Sequence, residues 1–196
     1  MPEPTTIAAD GEKAALVRAS ALGRVALPGR FGAEKRDPGI ELSVRHPASI
    51  VTVIARKGAA GRLADVLQGL EGCNVYWAGF EQYFVVAEGR AEGSLHRELK
   101  EKLDHLASVS EQSHGRIIIR VAGPKSRSVL AKGTPVDLHA EVFPVGKSAV
   151  TQMAHVGVHL TRIGENSFEL SVFRGFAESF WEWLTEQAEE FGYRIV

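Results

Sequence analysis

Histidines are the residues of this chain best suited to acid–base or metal chemistry, and the chain has seven of them. His155 and His159 stand four positions apart, a spacing that on a helix would put both rings on one metal-binding face. The residues around them alternate as in a strand, where the two rings would lie on the same side about 13 Å apart. One metal ion cannot bind both rings at that distance, so we interpret both as structural histidines.

A second candidate is the sequence GPKSR at 123–127, which follows a strand pattern and opens a predicted helix. Free N–H groups at a helix N-terminus can bind an anion, although the glycine spacing of a phosphate loop is absent. Lys125 and Arg127 place positive charge where the helix dipole disfavours it by roughly a few tenths of a kcal/mol. We predict either that these two cations face an acidic partner surface or that glycine and proline form a tight turn beside two solvated bases.

Cys73 is the only cysteine, so neither a disulfide nor a cysteine-based zinc site can form within the chain. Such a thiol usually behaves as a small buried hydrophobic group, and its isolation favours a cytoplasmic location. The sequence has no nucleophile elbow, phosphate loop, H-E-x-x-H helix or dinucleotide fingerprint. We therefore assign no catalytic residue, no cofactor-binding residue and no metal ligand.

The composition is that of an ordinary globular protein. The 196 residues, 44% of them hydrophobic, suffice for one domain or two tightly joined halves. The 23 basic and 24 acidic residues are spread along the sequence and give a net charge of -1. This balance provides no electrostatic field for nucleic acid and no basic amphipathic helix for a membrane surface. We expect neither nucleic acid nor membrane as a partner.

Residues 1–48 differ from the rest of the chain. They hold five of the eight prolines, at positions 2, 4, 28, 38 and 47, and regular structure is largely excluded there. Scattered apolar residues such as Leu16, Leu27 and Phe31 distinguish the segment from a purely solvated tail. We predict an extended N-terminal docking arm, with a floppy terminus as the alternative.

From residue 49 onward the hydrophobic pattern is periodic and predicts an α+β fold. Residues 49–113 indicate a strand at 50–54, a helix over 63–70, strands at 75–77 and 83–87, a helix over 95–106 and a short strand around Val109. Residues 114–196 repeat the order, with a strand at 117–121, a short helix at 126–130, strands at 150–162 and 167–173, a long helix from about 175 to 191 and a possible edge strand at 193–196. We predict a tandem strand-helix-strand-strand-helix pseudo-repeat.

The last helix carries four closely spaced aromatic residues. Phe176, Phe180 and Leu184 follow one stripe, which predicts a buried face. Trp181 falls about 100° from Phe180, on the flank beside acidic residues. Because tryptophan is enriched at the centres of protein interfaces, we predict that Trp181 is either an anchor for a partner or a side chain covered by its own domain.

Two segments in the second half of the chain have a distinctive sequence. RIIIRVAGPKSR at 116–127 and SFELSVFRGFAESFWEWL at 167–184 resemble the gamma subunit of heterotetrameric bacterial sarcosine oxidases. The resemblance covers about residues 48–192 and implies a fold similar to the folate-binding domain of the aminomethyltransferases. It also implies a non-catalytic chain partnered by alpha, beta and delta subunits. Lys125, Arg127 and Trp181 are then candidate partner-interface residues, and residues 1–48 are expected to order against another subunit.

The same resemblance implies the chemistry of the whole complex. Such an oxidase demethylates sarcosine to glycine, hydrogen peroxide and formaldehyde or 5,10-methylenetetrahydrofolate, which places it in sarcosine catabolism and one-carbon metabolism. FAD, FMN, NAD, tetrahydrofolate and zinc are expected on the other subunits, and none on this chain. Two alternatives stay open: a free-standing folate-binding or one-carbon transfer protein of the aminomethyltransferase superfamily, and a gamma-type subunit of an oxidase for another N-methylated amine.

Overall fold

The computed structural model describes residues 18–33 and 37–196. These residues form eleven strands and four α-helices, with a 3₁₀ turn on each side of the last helix. The strands are β1 Gly29–Phe31, β2 Ile40–Val44, β3 Ala48–Ala55, β4 Asn74–Gly79, β5 Gln82–Glu88, β6 Ala107–Glu111, β7 Arg116–Ala122, β8 Ser148–Met153, β9 Val156–Gly164, β10 Ser167–Phe173 and β11 Tyr193–Ile195. The helices are α1 Ala60–Gln68, α2 Ser94–Leu103, α3 Ser126–Leu130 and α4 Ala177–Ala188.

The smaller sheet has four antiparallel strands in the order β4-β5-β3-β6. Side chains alternate along β3, so that Val51 and Val53 point to one face of the sheet and Ile50 to the other. The valine face is covered by α1 and α2, whose buried leucines share one hydrophobic cluster with it. These leucines are Leu63, Leu67, Leu95, Leu99 and Leu103.

The larger sheet has seven strands in the order β1-β11-β2-β7-β10-β9-β8. Its strands pair antiparallel except β11 and β2, which run parallel. Ile117 and Ile119 of β7 point outward into a core that includes the buried face of α4, whereas Ile118 between them points the other way. Each sheet is therefore covered by helices on one face only.

The two uncovered faces pack against each other. Ile118 of the larger sheet lies in one cluster with Ile50, Phe84 and Val86 of the smaller sheet. The molecule is thus layered as helices, sheet, sheet, helices. Any polar residue that alternates with the outer core along β7, β9 or β10 is placed between the two sheets.

The predicted α+β pseudo-repeat is confirmed in its order of elements, with one additional strand in the second half. The predicted single strand at 150–162 is two strands, β8 and β9, because Ala154 and His155 take positive φ values of 51° and 66° and reverse the chain. The segment at 193–196 is not an edge strand, since β11 lies between β1 and β2. The chain passes from the larger to the smaller sheet between β2 and β3 and returns to the larger sheet between β6 and β7, near residue 113.

The segment predicted as an extended arm, 1–48, contributes to the fold where the structure describes it. Strands β1 and β2 belong to the larger sheet, and Leu22 is fully buried in its core. The expectation that prolines exclude regular structure from this segment is corrected here, because the prolines at 28, 38 and 47 flank the strands rather than interrupt them. Residues 1–17 and 34–36, and the predictions made for them, lie outside the described part.

The turn from β7 into α3 requires its glycine. Gly123 has a φ of 111°, and a Cβ there would lie 2.5 Å from the carbonyl oxygen of Gly39. This turn leaves the side chain of Ser126 buried and that of Lys125 exposed.

Among the helices that the structure describes, none is long and apolar enough to cross a bilayer.

Candidate functional site

A buried carboxylate, Glu169, lies between the two sheets at the centre of a polar cluster. Its side chain is 3% exposed. Arg120 donates to Oε1 through Nη2 at 2.7 Å and Nε at 3.2 Å. Arg45 Nη1 and the Tyr76 hydroxyl donate to Oε2 at 2.8 and 3.0 Å. Four donor atoms from three residues therefore bind the carboxylate. We call these four residues the Glu169 cluster: Glu169, Arg45, Arg120 and Tyr76.

Strand alternation and register bring this cluster together. In β10, Phe168 and Leu170 are buried in the outer core, so Glu169 between them points at the opposite sheet. Arg120 is its cross-strand partner on β7. Arg45 follows directly after β2, and Tyr76 comes from β4 of the smaller sheet. The cluster thus joins strands of the larger sheet to the smaller one.

The cluster is electrically compensated. Burial alone lowers the pKa of Arg45, but its hydrogen bond to Glu88 and its attraction to Glu169 outweigh that effect and raise the pKa. Burial, with the adjacent Glu169, also raises the pKa of Tyr76 well above its usual value. A carboxylate with all its lone pairs engaged cannot act as a general base, and a phenol this hard to ionise cannot act as a nucleophile.

His159 is the second polar residue between the sheets. Its ring is almost fully buried and lies edge-on to Phe84, with ring centroids 4.9 Å apart. Nε2 lies 2.8 Å from the carbonyl oxygen of Trp77, which can only accept, so Nε2 carries the proton. Burial lowers the pKa of His159, partly offset by that hydrogen bond. The imidazole is therefore a neutral link between β9 and β4.

Protonation of His159 should reduce the stability of the fold at mildly acidic pH. Its pKa is lower in the folded than in the unfolded chain, so the unfolded state binds more protons as the pH falls below the ordinary value of 6.5. Stability should be complete above that pH and should decrease towards the lowered folded-state pKa. We expect His159→Gln, which can still donate to Trp77, to show a smaller drop in melting temperature between about pH 7.5 and about pH 5. An unchanged pH profile would contradict this role.

The space around the Glu169 cluster is small where it is enclosed. The cavity between the sheets, lined by Tyr76, Phe84, His159 and Ser171, measures about 10 Å³. This volume suits one water molecule, and the buried Ser171 Oγ, which has no hydrogen-bond partner in the described structure, could bind it. An open depression of about 340 Å³ lies outside the cluster, beside Arg120 and Val145. The carboxylate below it is already occupied, so these residues do not fit the hydrogen-bonding needs of a pterin ring.

Trp181 is not a half-covered anchor, which corrects the interface prediction. It is 4% exposed and lies in the core of the larger sheet with Phe180 and Leu184. The helix begins at Ala177, and the buried stripe runs through Ala177, Phe180, Trp181, Leu184 and Ala188. Phe176, which we placed in that stripe, lies in the preceding turn and is 52% exposed. The stripe is rotated by about one residue, and this rotation moves Trp181 into the core.

Lys125 and Arg127 lie at the start of α3, as expected, but they are not equivalent. Lys125 is exposed, with Nζ 5.8 Å from the ring centroid of Phe191. Arg127 is partly buried and donates through Nη2 to the carbonyl oxygen of Glu165 at 2.9 Å. Arg127 therefore fastens α3 to the β9–β10 turn, while Lys125 remains available at the surface. Neither lies near the Glu169 cluster in the contacts of the described residues.

The histidine pair and Cys73 do not form a site. His155 occupies the turn between β8 and β9, not the strand that we predicted, and His159 is buried in β9. Cys73 is partly buried against the smaller sheet's core, and burial raises its thiol pKa. Among the residues that the structure describes, no group of three His, Cys, Asp or Glu side chains could hold a metal ion.

Sequence reasoning missed the Glu169 cluster entirely. The alternation in SFELSVF places Glu169 and Ser171 opposite Phe168, Leu170 and Val172, and this pattern shows a carboxylate on the second face of a strand. The sequence gives no sign that the second face is covered by another sheet. It therefore could not distinguish a buried, paired carboxylate from a solvated one.

A family profile and a curated relative each match more than half of the chain. The profile of the GCVT N-terminal domain matches residues 72–196. The sarcosine oxidase subunit gamma of Corynebacterium sp. (strain P-1) is 32% identical over 140 residues, which cover 71% of this chain and 68% of the relative.

Two solved structures share the fold. A chain of the heterotetrameric sarcosine oxidase from Corynebacterium sp. U-96 superimposes with a TM-score of 0.75 at 24% identity, covering 89% of this chain and 96% of that one. The glycine cleavage system aminomethyltransferase T from Bartonella henselae matches with a TM-score of 0.59 at 17% identity, covering 78% of this chain and 49% of the enzyme.

Proposed function

Because the chain belongs to the family of sarcosine oxidase gamma subunits, and to the GCVT N-terminal domain family, we propose that it is a non-catalytic gamma subunit of a heterotetrameric sarcosine oxidase. The complex would demethylate sarcosine oxidatively to glycine, hydrogen peroxide and formaldehyde or 5,10-methylenetetrahydrofolate. In this role the chain contributes to enzyme activity through assembly, as one subunit of an oxidoreductase.

The paired state of Glu169 is the observation that carries the non-catalytic assignment. The buried acid of the inter-sheet space is neutralised by Arg45 and Arg120, and the neighbouring His159 is held neutral by burial. Neither residue is placed to exchange a proton with a substrate. The described residues also contain no candidate metal cluster. Reaction chemistry is therefore assigned to partner subunits.

The remaining features of the complex follow as parts of the same proposal. FAD, FMN, NAD, tetrahydrofolate and zinc would be held by the alpha, beta and delta subunits, in the cytoplasm. Lys125 and Arg127 stay candidates for subunit contact, with Lys125 the more exposed. The N-terminal segment stays a candidate for docking on another subunit, although its described part also packs on this chain's own core.

A free-standing folate-binding or one-carbon transfer protein is the second candidate, favoured by the shared fold of the aminomethyltransferase. The Glu169 cluster argues against it, since a pterin ring needs an acceptor that is not already engaged by two guanidinium groups. A gamma-type subunit of an oxidase for another N-methylated amine is compatible with the same geometry. The substrate would then be determined by residues on another subunit.

The chain purified alone should be colourless and inactive towards sarcosine. The measurements are the visible absorption spectrum of the purified chain and sarcosine-dependent peroxide formation. Co-expression with flavin oxidase subunits encoded beside its gene should instead yield a stable yellow complex that oxidises sarcosine. Stoichiometric flavin on the isolated chain, or peroxide formation by it, would reject the non-catalytic role.

Two further results would separate the alternatives. Tight tetrahydrofolate binding by the isolated chain, measured by calorimetry, would favour the free-standing folate protein. A complex that forms but prefers another N-methylated amine would keep the subunit role and change only the substrate.

A further inference from the structure

A second cleft has several arginine side chains in its lining. It lies where the segment before β1, the β2–β3 turn, the β6–β7 turn and the end of β10 meet. Arg18, His46, Arg116 and Arg174 line it, together with Arg45 of the Glu169 cluster. The enclosed volume is about 20 Å³, which is room for one small group. We call this the arginine cleft.

Arg116 is the central residue of the arginine cleft. The carbon of its guanidinium lies over two aromatic rings, 4.0 Å from the centroid of Phe173 and 4.8 Å from that of Phe84. These cation–π contacts supply no lone-pair acceptor, so the N–H groups of the guanidinium stay available to donate. No hydrogen bond joins these donors to any other described side chain or carbonyl. A positioned guanidinium with free donors is suited to bind an oxyanion.

The neighbouring arginines are held in place but are not neutralised. Arg18 Nη2 donates to the carbonyl oxygens of Ala48 and Ser113, at 2.9 and 3.3 Å. Arg174 Nη1 donates to the carbonyl oxygen of Ala19 at 3.3 Å. Carbonyl oxygens orient these side chains without cancelling their charge. Three positive charges therefore share the lining of one small cleft.

Nearby carboxylates do not supply the missing negative charge. Glu88 pairs with Arg45, Glu92 pairs with His114, and Glu111 accepts from Ser113. Within 18–33 and 37–196, no ion pair involves Arg18, Arg116 or Arg174. Burial without a compensating partner lowers the pKa of Arg116. Such clustering of partly desolvated cations costs stability unless an anion completes it.

We propose that the arginine cleft is a binding site for a single carboxylate group. The planar fork of a guanidinium matches the two oxygens of a carboxylate. The small volume excludes a large polyanion from the enclosed part, and the apolar side chains of Ala48 and Ile50 in the lining suit a group attached to carbon.

The carboxylate could belong to a free organic acid or to an acidic side chain of a neighbouring subunit; the second source rests on the proposed function. The first experiment titrates the full-length isolated chain with sodium acetate and follows the arginine Nε–Hε signals by NMR. Sodium chloride at matched ionic strength is the control. A free acid as ligand predicts saturable shifts at Arg116 and Arg174 with acetate only. Arg116→Gln, followed at Arg174, and Arg174→Gln, followed at Arg116, should each raise the dissociation constant at least about tenfold, the loss of one charge-assisted contact.

The second experiment measures assembly of the same variants with the oxidase subunits. A partner carboxylate as ligand predicts that Arg116→Gln and Arg174→Gln each weaken assembly by about tenfold or more. Arg62→Gln is the matched control, because Arg62 is an exposed arginine on α1 and does not line this cleft. Arg174 is exposed, so its variant should fold even if Arg116→Gln does not.

Each combination of results decides the proposal. Acetate-specific binding that the variants lose supports a free carboxylate, and weaker assembly without acetate binding supports a partner carboxylate. The absence of both effects, or equal shifts with acetate and chloride together with normal assembly, overturns the site. If the wild-type chain binds no oxidase subunit, the proposed function fails, and the acetate titration alone decides the site.

Discussion

Replacing Glu169 with glutamine is expected to lower the free energy of unfolding by about 3 kcal/mol or more, because it leaves two guanidinium groups without their shared counter-charge. Loss of the Glu169 charge should cost more at Arg45 than at Arg120, since only 7% of the Arg45 side chain is exposed. Glutamine keeps the size of the side chain and one acceptor oxygen, so the loss would report charge rather than packing. The measurement is urea-induced unfolding of the two proteins at neutral pH.

Glu88→Gln provides the matched control for this experiment. Glu88 pairs with the same Arg45, but its side chain is 56% exposed. In the Glu88→Gln variant Arg45 keeps its ion pair with Glu169, and the lost carboxylate is a solvated one, so the free energy of unfolding should fall by no more than about 1 kcal/mol. Equal losses for the two variants would show that the Glu169 cluster is not the electrostatic link between the sheets.

Trp181→Ala should unfold the isolated chain at a much lower temperature than the wild type. Removal of a buried aromatic side chain costs about 3–5 kcal/mol through lost transfer energy and the cavity left behind. For a chain of this size, each kcal/mol shifts the melting temperature by about 2–4 °C. The loss should be present without any partner, because Trp181 is covered by this chain's own core.

Phe176→Ala is the control for the tryptophan. It lies just before the same helix but is 52% exposed, so its removal should change the stability by less than about 1 kcal/mol. A Trp181→Ala variant that melts normally and fails only in assembly would restore the interface role predicted from the sequence. A variant that melts early in both assays supports the buried position.

The sequence alone determined the class of fold and most of its elements. Helical spacing at Leu95, Leu99 and Leu103 and the β-branched run in β7 depend only on neighbours along the chain, and both patterns are found in the structure as predicted. Gly123 also indicated a turn for a local reason, because glycine adopts positive φ values readily, and the structure has a positive φ there. The family resemblance likewise rests on short contiguous segments of sequence.

The tertiary structure decided which faces meet, and therefore where the polar residues lie. Arg45 and Glu169 form a pair that no local pattern could indicate, since 124 positions separate the two residues.

 The distance between Arg45 and Glu169 along the chain means that only the packing of β2, β7 and β10 in one sheet brings them into contact. A strand pattern shows which residues share a face, but it carries no information about what covers that face.

The same reason explains two differences between the sequence predictions and the described structure. The aromatic stripe of α4 indicated a buried face, but its exact rotation depends on where the helix begins, and that placed Trp181 in the core. The prolines before residue 48 indicated an arm, but β1 pairs with β11 and β2 pairs with β11 and β7, all of which lie more than 70 positions further along the chain. Local sequence determines periodicity and turns, whereas burial and charge pairing arise from contacts between distant segments, which only the folded chain brings together.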